Sequence, residues 1–121
     1  MTSAIVLVCD RTFLPPTLGT AMMARQHAAD TPIFVFVTDA DDRALVTVSR
    51  ALEPYEIDVR AAKIEELGRV QACDFNQTHV PVAAMARLWL DEMLPHNIRR
   101  FLYIDGDVEV TGSLAPLMAL D

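Results

Sequence analysis

Two aspartates, Asp105 and Asp107, stand one residue apart directly after the apolar stretch FLYI at 101–104. Two carboxylates this close repel each other, and a cation between them removes the conflict. Carboxylate oxygens suit Mg²⁺ and Mn²⁺, which in proteins usually also bind the phosphates of a substrate. Gly106 is expected to permit a tight or positive-φ backbone and the close approach of a ligand. The pattern therefore predicts a divalent cation on Asp105 and Asp107, with a solvated turn as the alternative.

A second Asp-x-Asp triplet occurs at 39–41, so the spacing alone carries little information in an aspartate-rich chain. This triplet follows a predicted strand and precedes a predicted helix. Asp39 and Asp41 are therefore interpreted as a helix cap and a first-turn acid. The pair formed by Asp105 and Asp107 differs because an uninterrupted apolar strand leads into it, and this context makes it the candidate site.

Four segments have the composition of strands. Three are continuous apolar runs, which are typical of strands covered on both faces of a parallel sheet. They are AIVLVC at 4–9, IFVFVT at 33–38 and FLYI at 101–104. The fourth, at 55–59, alternates apolar and polar residues and is predicted to be an edge strand. Residues 108–110 are predicted to form a further short extended piece.

Helices are predicted between the strands and after the last one. The segments are 15–29, 41–52, 80–94 and 114–120. Pro15 and Pro16 suit the first turn of a helix, where a missing backbone N–H does no harm. Thr38 or Asp39 is expected to cap the second helix, with Val46 among the residues on its inner side.

Strands that alternate with helices indicate an α/β fold, a mostly parallel sheet with flanking helices. In such sheets ligands bind beyond the carboxyl ends of the strands. Asp10 follows the first strand, and Asp105 and Asp107 follow the fourth. We therefore expect three carboxylates to meet in one crevice. No repeat or linker divides residues 1–121 into separate domains.

The overall composition limits the kinds of partner. The formal charge is −7, with 10 basic residues, so a surface for nucleic acid is not expected. Apolar residues make up 52% of the chain, which is high for a small domain and indicates a partner or a larger fold. Cys9 is predicted to be a buried, unreactive thiol. Without a signal-like or membrane-spanning run, a cytoplasmic location is expected, with peripheral membrane contact left open.

The segment LPHNIRRFLYIDGDVEVTGSLAPLMALD at 94–121 is similar to the region around the Asp-x-Asp motif of glycosyltransferase family 8. That family includes bacterial lipopolysaccharide galactosyl- and glucosyltransferases and glycogenin. IVLVCDRTF at 5–13 resembles the family's first strand and nucleotide-binding loop, and FVFVTDA at 34–40 resembles its second strand and the following turn. HVPVAAMARL at 79–88 resembles the segment before the motif. The resemblance covers nearly the whole chain in order.

The resemblance implies a GT-A fold, a Rossmann-like domain that binds a nucleoside-diphosphate sugar, most often a UDP-hexose. Transfer of the sugar would retain its anomeric configuration. Asp105 and Asp107 would coordinate Mn²⁺ or Mg²⁺, which holds the diphosphate and stabilises the leaving group. The acceptor would be a carbohydrate or a lipopolysaccharide-type molecule.

Other residues take roles by the same resemblance. Asp10 would accept a hydrogen bond from the base, Phe13 would stack on the uracil ring, and Asp105 would also touch the sugar. Arg87 would reach the donor sugar or the diphosphate, and His79 falls where family members line the acceptor side. Simpler explanations exist for three of them. Phe13 would then be an apolar plug in the core, Arg87 a helix cation extending to solvent, and His79 a loop or capping residue.

The chain departs from the family in two respects. The family often has Asp-Asp-Asn-Tyr after the first strand, and Asp10-Arg11-Thr12-Phe13 here predicts altered or relaxed recognition of the base. The family's third metal ligand is a histidine far beyond the motif, and no histidine follows Asp107. We therefore expect a donor-binding half, truncated after the motif, with weak Mn²⁺ and donor binding and little or no transfer. Apolar surface left exposed could drive self-association.

Two other functions fit the same motif. A non-catalytic nucleotide-binding or interaction module would keep the fold without turnover. A phosphatase of the haloacid dehalogenase type would use Asp105 as a nucleophile, although such enzymes have Thr or Val where this chain has Glu109. Hydrolysis of a generic phosphoester would favour the phosphatase, and Mn²⁺-dependent binding of UDP would favour the transferase.

Overall fold

A computed structural model describes residues 2–28, 30–62 and 90–120. Within these ranges one sheet contains β1 (Thr2–Cys9), β2 (Ile33–Val37), β3 (Ile57–Ala61) and β4 (Ile98–Tyr103). The strands are parallel, in the order β3-β2-β1-β4. β1 is therefore central, and Ile5 is paired with Ile33 on one side and with Leu102 on the other. The carboxyl ends of all four strands lie at the same edge.

Helical segments connect and flank the strands. They are α1 (Leu14–Gln26), α2 (Asp42–Leu52), α3 (Leu90–Met93) and α4 (Ala115–Met118). As predicted, α1 carries its two prolines in the first turn, where their missing N–H groups cost no intrahelical hydrogen bond. A 3₁₀ turn, Glu53–Tyr55, follows α2.

Alternate side chains of β1 build two hydrophobic clusters, one on each face of the sheet. One cluster includes Ile5, Leu7 and Cys9 together with Ala21 and Ala24 of α1. The other includes Ala4, Val6 and Val8 together with Phe34, Phe36, Leu90 and Leu94. Burial on both faces explains why β1 and β2 are continuous apolar runs. The prediction of an α/β fold with a parallel sheet and flanking helices is confirmed.

Several predicted boundaries differ from the structure by a few residues, among them the start of β1 and the end of α1, and the starts of β3 and β4 were also predicted wrongly. β3 begins at Ile57 rather than at residue 55, because the preceding residues form the 3₁₀ turn and Glu56 follows it with φ = 56°. β4 begins at Ile98 rather than at 101, because it pairs with β1 from the start of that strand. Residues 108–110, predicted as a short extended piece, are not part of the sheet, and the carbonyl of Val108 accepts a hydrogen bond from the side chain of Thr20.

The start of α2 also differs from the prediction. Its cap is Asp41, whose side chain accepts a hydrogen bond of 3.0 Å from the backbone N–H of Arg43. Of the predicted caps, Thr38 binds the carbonyl of Cys9 and Asp39 binds Arg11. Both lie too early in the loop to reach the free N–H groups of the first helical turn.

One side of α2 faces the sheet, and Val46 is not on it. Leu45, Val48 and Leu52 pack against the cluster beneath, as their spacing of three and four residues requires. Val46 is 51% exposed because a residue directly after Leu45 is rotated by about 100° around the helix. The predicted inner position of Val46 was therefore wrong.

Some apolar side chains of β4, α4 and their surroundings stay exposed to solvent. They are Phe101, Val108, Leu117 and Leu120. Self-association through such a surface stays a prediction. Within the described ranges, no helix has the length and apolar character needed to cross a membrane.

Candidate functional site

The carboxyl edge of the sheet collects the aspartates that the sequence singled out. Asp10 directly follows β1, Asp39 lies two residues after β2, and Asp105 lies two residues after β4. Because β1 lies between β2 and β4, these residues follow three adjacent strands. The chain therefore brings its acidic loops to one edge, as the order of elements predicted, and the meeting of three carboxylates in one crevice stays a prediction.

Asp105 and Asp107 lie on a tight turn that follows β4. The backbone N–H of Val108 donates a hydrogen bond of 3.3 Å to the carbonyl of Asp105, which closes the turn. Both carboxylates are exposed, whereas Ile104 just before them is buried. The turn thus exposes two carboxylates to solvent, while the residue just before it is anchored in the core.

Within the part of the chain that the structure describes, Asp105 and Asp107 are the candidate ligands for a cation at this edge. Among the residues that the structure describes, no three His, Cys, Asp or Glu side chains are grouped so that they could hold a metal ion. Asp105 and Asp107 could still supply two oxygen ligands to Mg²⁺ or Mn²⁺, since these ions usually keep several waters and bind phosphates. The donor set therefore fits a hard cation that shares its coordination with a ligand.

Two buried threonines of α1 support the turn from below. Thr17 is 0% exposed and Thr20 is 2% exposed. The hydroxyl of Thr20 lies 3.1 Å from the carbonyl oxygen of Gly106 and 3.0 Å from that of Val108. A Cβ atom at position 106 would overlap the hydroxyl oxygen of Thr17 and lie 3.0 Å from its Cβ. The turn is seated directly on the first half of α1.

This packing changes the role expected of Gly106. Its φ is not positive, and of the two expected conformations the backbone adopts the tight turn. The glycine is needed because any side chain would collide with Thr17. Sequence reasoning missed both threonines. The available signal was two polar residues three positions apart, at 17 and 20, in a helix whose neighbouring residues are mostly apolar.

The loop between β1 and α1 holds Asp10 and Phe13. One oxygen of Asp10, Oδ1, accepts a hydrogen bond of 2.9 Å from the backbone N–H of Phe13. The ring of Phe13 is 58% exposed, so the alternative in which Phe13 plugs the core was wrong. The loop therefore fixes the Asp10 carboxylate and leaves an aromatic face open at the carboxyl edge.

A second bridge joins the loops that follow β1 and β2. The backbone N–H of Arg11 donates a hydrogen bond of 2.7 Å to Asp39 Oδ1, and Arg11 Nε lies 3.4 Å from Asp39 Oδ2. Asp39 was predicted to cap a helix and instead ties two loops together. The side chains of both residues are largely exposed, so the backbone contact contributes more than the ion pair.

Cys9, at the end of β1, is buried beside this edge. The pKa of its thiol is raised from 9.0 to about 11, chiefly by burial; a hydrogen bond with Thr17 lowers the pKa, and the carboxylates of Asp10 and Asp39 contribute to the rise. A thiol with a raised pKa is a poor nucleophile at neutral pH. The structure thus agrees with the prediction of a buried, unreactive cysteine.

An open cavity lies on the β4 side of the turn. Its volume is about 560 Å³, and the residues that line it include the acidic Asp105 and Glu109 and the apolar Leu102, Leu114 and Leu117. Two further candidates, Arg87 and His79, lie outside the described residues. Their roles toward the donor and the acceptor stay predictions.

A parallel α/β domain with acidic loops at its carboxyl edge is the architecture of a ligand-binding Rossmann-like domain. Residues 4–121 match the sequence model of glycosyl transferase family 8. Since the match spans nearly the whole sequence, the chain belongs to glycosyl transferase family 8. The resemblance inferred from the sequence motifs is confirmed.

Similar proteins come from Streptococcus pneumoniae. The chain is 26% identical over 123 residues to the glycosyltransferase GlyF of serotype 4 (strain TIGR4), covering 100% of this chain and 29% of GlyF. The crystal structure of the apo form of the glycosyltransferase GlyE of S. pneumoniae TIGR4 matches with a TM-score of 0.68 and 19% identity, over 100% of this chain and 27% of that one. A second GlyE crystal structure gives a TM-score of 0.66 at 20% identity, over 99% of this chain and 27% of that one. The structural likeness shows the fold, and the chain spans less than a third of the length of either relative.

Proposed function

We propose that the chain is the donor-binding part of a glycosyltransferase that uses a nucleoside-diphosphate sugar, with UDP as the nucleotide. The observation that carries this proposal is the turn after β4, which presents Asp105 and Asp107 beside the loop of Asp10 and Phe13 in a chain of glycosyl transferase family 8. Membership of that family also disfavours the phosphatase that shares the Asp-x-Asp spacing. Retention of the anomeric configuration follows from the same family assignment and belongs to the proposal.

Metal dependence follows from the charge of the edge. Asp10, Asp39, Asp105 and Asp107 follow three adjacent strands at the edge where a diphosphate would bind, in a protein with a formal charge of −7. Two anionic groups in contact repel strongly in the reduced dielectric of a protein surface. A Mn²⁺ or Mg²⁺ ion on Asp105 and Asp107 would offset this repulsion and would stabilise the diphosphate as a leaving group.

The protein's own residues would bind and orient the donor. Asp10 is fixed through Oδ1 by the N–H of Phe13, which leaves Oδ2 to accept a hydrogen bond from the base. The exposed ring of Phe13 supplies a stacking surface for the same base. Asp105 would also touch the sugar, which lies beyond the diphosphate. The acceptor, a carbohydrate or lipopolysaccharide-type molecule, would approach from the side assigned to His79.

Calorimetric titration with UDP, with and without Mn²⁺, tests the proposal. We expect binding that requires Mn²⁺ and that is lost in Asp105→Asn and in Asp107→Asn. Asp41→Asn is the matched control, since it makes the same change in the other Asp-x-Asp triplet and asparagine caps a helix as well as aspartate does. Binding of UDP that is independent of metal, or no binding to the unmodified chain, would contradict the proposal.

A donor-binding module without turnover is the second candidate, because among the described residues no third His, Cys, Asp or Glu side chain joins Asp105 and Asp107 in a group that could hold a metal ion. Release of UDP from a UDP-hexose in the presence of Mn²⁺ separates the two. If the chain binds UDP with Mn²⁺ but releases none from the sugar nucleotide, it acts as the binding module. Release that is lost in Asp107→Asn would instead show catalysis by these 121 residues.

A further inference from the structure

The turn that carries the two carboxylates is held by a helix far away in the sequence. The hydroxyl of Thr20 in α1 contacts the carbonyl oxygens of Gly106 and Val108, across 86 and 88 residues of chain. Gly106 directly precedes Asp107 in the chain, and Val108 directly follows it. A single buried side chain therefore holds the backbone on both sides of one proposed ligand.

The arrangement of these two carbonyl groups depends on the hydroxyl hydrogen of Thr20. A threonine hydroxyl has a single hydrogen to donate, and two carbonyl oxygens converge on it at 3.1 and 3.0 Å. Two carbonyl oxygens that face the same point repel each other unless a donor lies between them. Without the hydroxyl of Thr20, the two peptide groups would turn apart and would carry the side chain of Asp107 with them.

Thr17 completes the support and links it to the neighbouring loop. Its hydroxyl donates a hydrogen bond of 2.7 Å to the carbonyl of Phe13 and occupies the space where a Cβ atom of residue 106 would lie. The N–H of Phe13 in turn binds Asp10. The first turns of α1 thus connect the loop of Asp10 and Phe13 to the turn of Asp105 and Asp107.

We propose that Thr20 is a positioning residue for the cation site on Asp105 and Asp107, and that Thr17 supports the same turn. The inference rests on the proposed function, since it assigns a role toward the cation of that site. Thr20 acts through the backbone and does not touch the cation. Groups that orient metal ligands in this way typically change metal affinity by roughly 10- to 100-fold when they are removed.

The test is the affinity for Mn²⁺, measured from free Mn²⁺ by electron paramagnetic resonance, with and without UDP. Thr20→Val replaces the hydroxyl by a methyl group of similar size, and Mn²⁺ affinity should fall roughly 10- to 100-fold. Thr20→Ser keeps the hydroxyl and should bind nearly as the unmodified chain does. Thr47→Val is the matched control, because Thr47 is an exposed helix threonine whose hydroxyl donates to a carbonyl of its own helix, that of Arg43.

A purely structural role would lower the melting temperature without changing Mn²⁺ affinity at temperatures where the protein is folded. Unchanged affinity in Thr20→Val, or equal losses in Thr20→Val and Thr20→Ser, would therefore overturn this inference alone. Thr20→Cys, a weaker donor of similar size, replaces Thr20→Val if that variant does not fold, and affinity equal to the unmodified chain would again overturn it. No Mn²⁺ binding by the unmodified chain would overturn the proposed function and this inference with it.

Discussion

Gly106 packs directly on Thr17, so closely that a Cβ atom at position 106 would overlap the threonine hydroxyl and lie 3.0 Å from the Cβ of Thr17. Thr17 is fully buried in the first turns of α1, and well-packed side chains in a core have little freedom to move aside. The glycine between the two aspartates is therefore required for space. The turn and the helix fit together as one unit.

Substitution of Gly106 by alanine should disturb that unit. Gly106→Ala is expected to lower the free energy of unfolding by about 1–3 kcal/mol, as overpacking of a core does, and to weaken Mn²⁺ binding. The double variant Gly106→Ala/Thr17→Ala should lose less than the sum of the single losses, because removing the hydroxyl creates room. Urea unfolding measures all three. Gly112→Ala is the control, since a Cβ there meets nothing within 4 Å, and strictly additive losses would contradict the packing argument.

Phe13 should matter for nucleotide binding and little for stability. Its ring is 58% exposed, so Phe13→Ala is expected to change the free energy of unfolding by less than about 0.5 kcal/mol. Loss of a stacking partner for the base should weaken UDP binding by about 1–2 kcal/mol. Titration with pyrophosphate and Mn²⁺ is the control, because it has no base, and its affinity should not change. A similar loss for pyrophosphate would argue against stacking.

Arg25 should be a major contributor to stability at the opposite edge of the sheet. Its guanidinium donates to the carbonyls of Ala28 and Thr31 at 2.9 Å and to those of Tyr55 and Glu56 at 3.0 Å. It therefore joins the end of α1 to the turn before β3.

Arg25→Leu is expected to lower the free energy of unfolding by about 2–3 kcal/mol. The substitution removes hydrogen bonds from a charged donor and leaves the carbonyl groups that accepted them without that donor. Arg25→Lys should recover little, since one ammonium cannot replace a planar fork of donors. Urea unfolding provides the measurement. Arg50→Leu, at an exposed arginine of α2, is the matched control and should shift stability by less than about 0.5 kcal/mol.

The stability of the fold should fall at alkaline pH through Cys9. Burial raises the pKa of its thiol from 9.0 to about 11, so the thiol is neutral in the folded and unfolded states below pH 9. As the pH rises from 9 to 11, the unfolded chain releases this proton and the folded chain keeps it. The free energy of unfolding therefore decreases across this window, by up to about 2–3 kcal/mol.

Urea unfolding under reducing conditions, at several pH values, measures this decrease. Cys9→Ala has no thiol at this position and should show a shallower decline, after its constant loss of packing is subtracted. Other groups that titrate at alkaline pH are present in both proteins, so their effects on the free energy of unfolding cancel in the comparison. Parallel curves for the two proteins would show that Cys9 does not contribute.

The central strands and the acidic edge could be predicted from the sequence. β1 and β2 are buried on both faces, and a strand in that position is apolar at nearly every residue. A continuous run of apolar residues in the sequence therefore indicates such a strand. The order of strands and helices then places Asp10 and Asp105 at one edge, because parallel strands end on the same side. The edge strand β3 was placed less well, since a short alternating segment next to Pro54 and Tyr55 does not show where the 3₁₀ turn ends.

The sequence by itself determined the fold class, the family and the acidic residues at the carboxyl edge, because hydrophobic periodicity and motif spacing are local properties of the chain. Only the tertiary structure decided what holds those residues in place. The contacts of Thr20 with Gly106 and Val108 join residues 86 and 88 positions apart, and no local pattern encodes such a pairing. The same holds for Gly106, because the lack of room for a side chain at position 106 is evident only when α1 is packed beneath the turn.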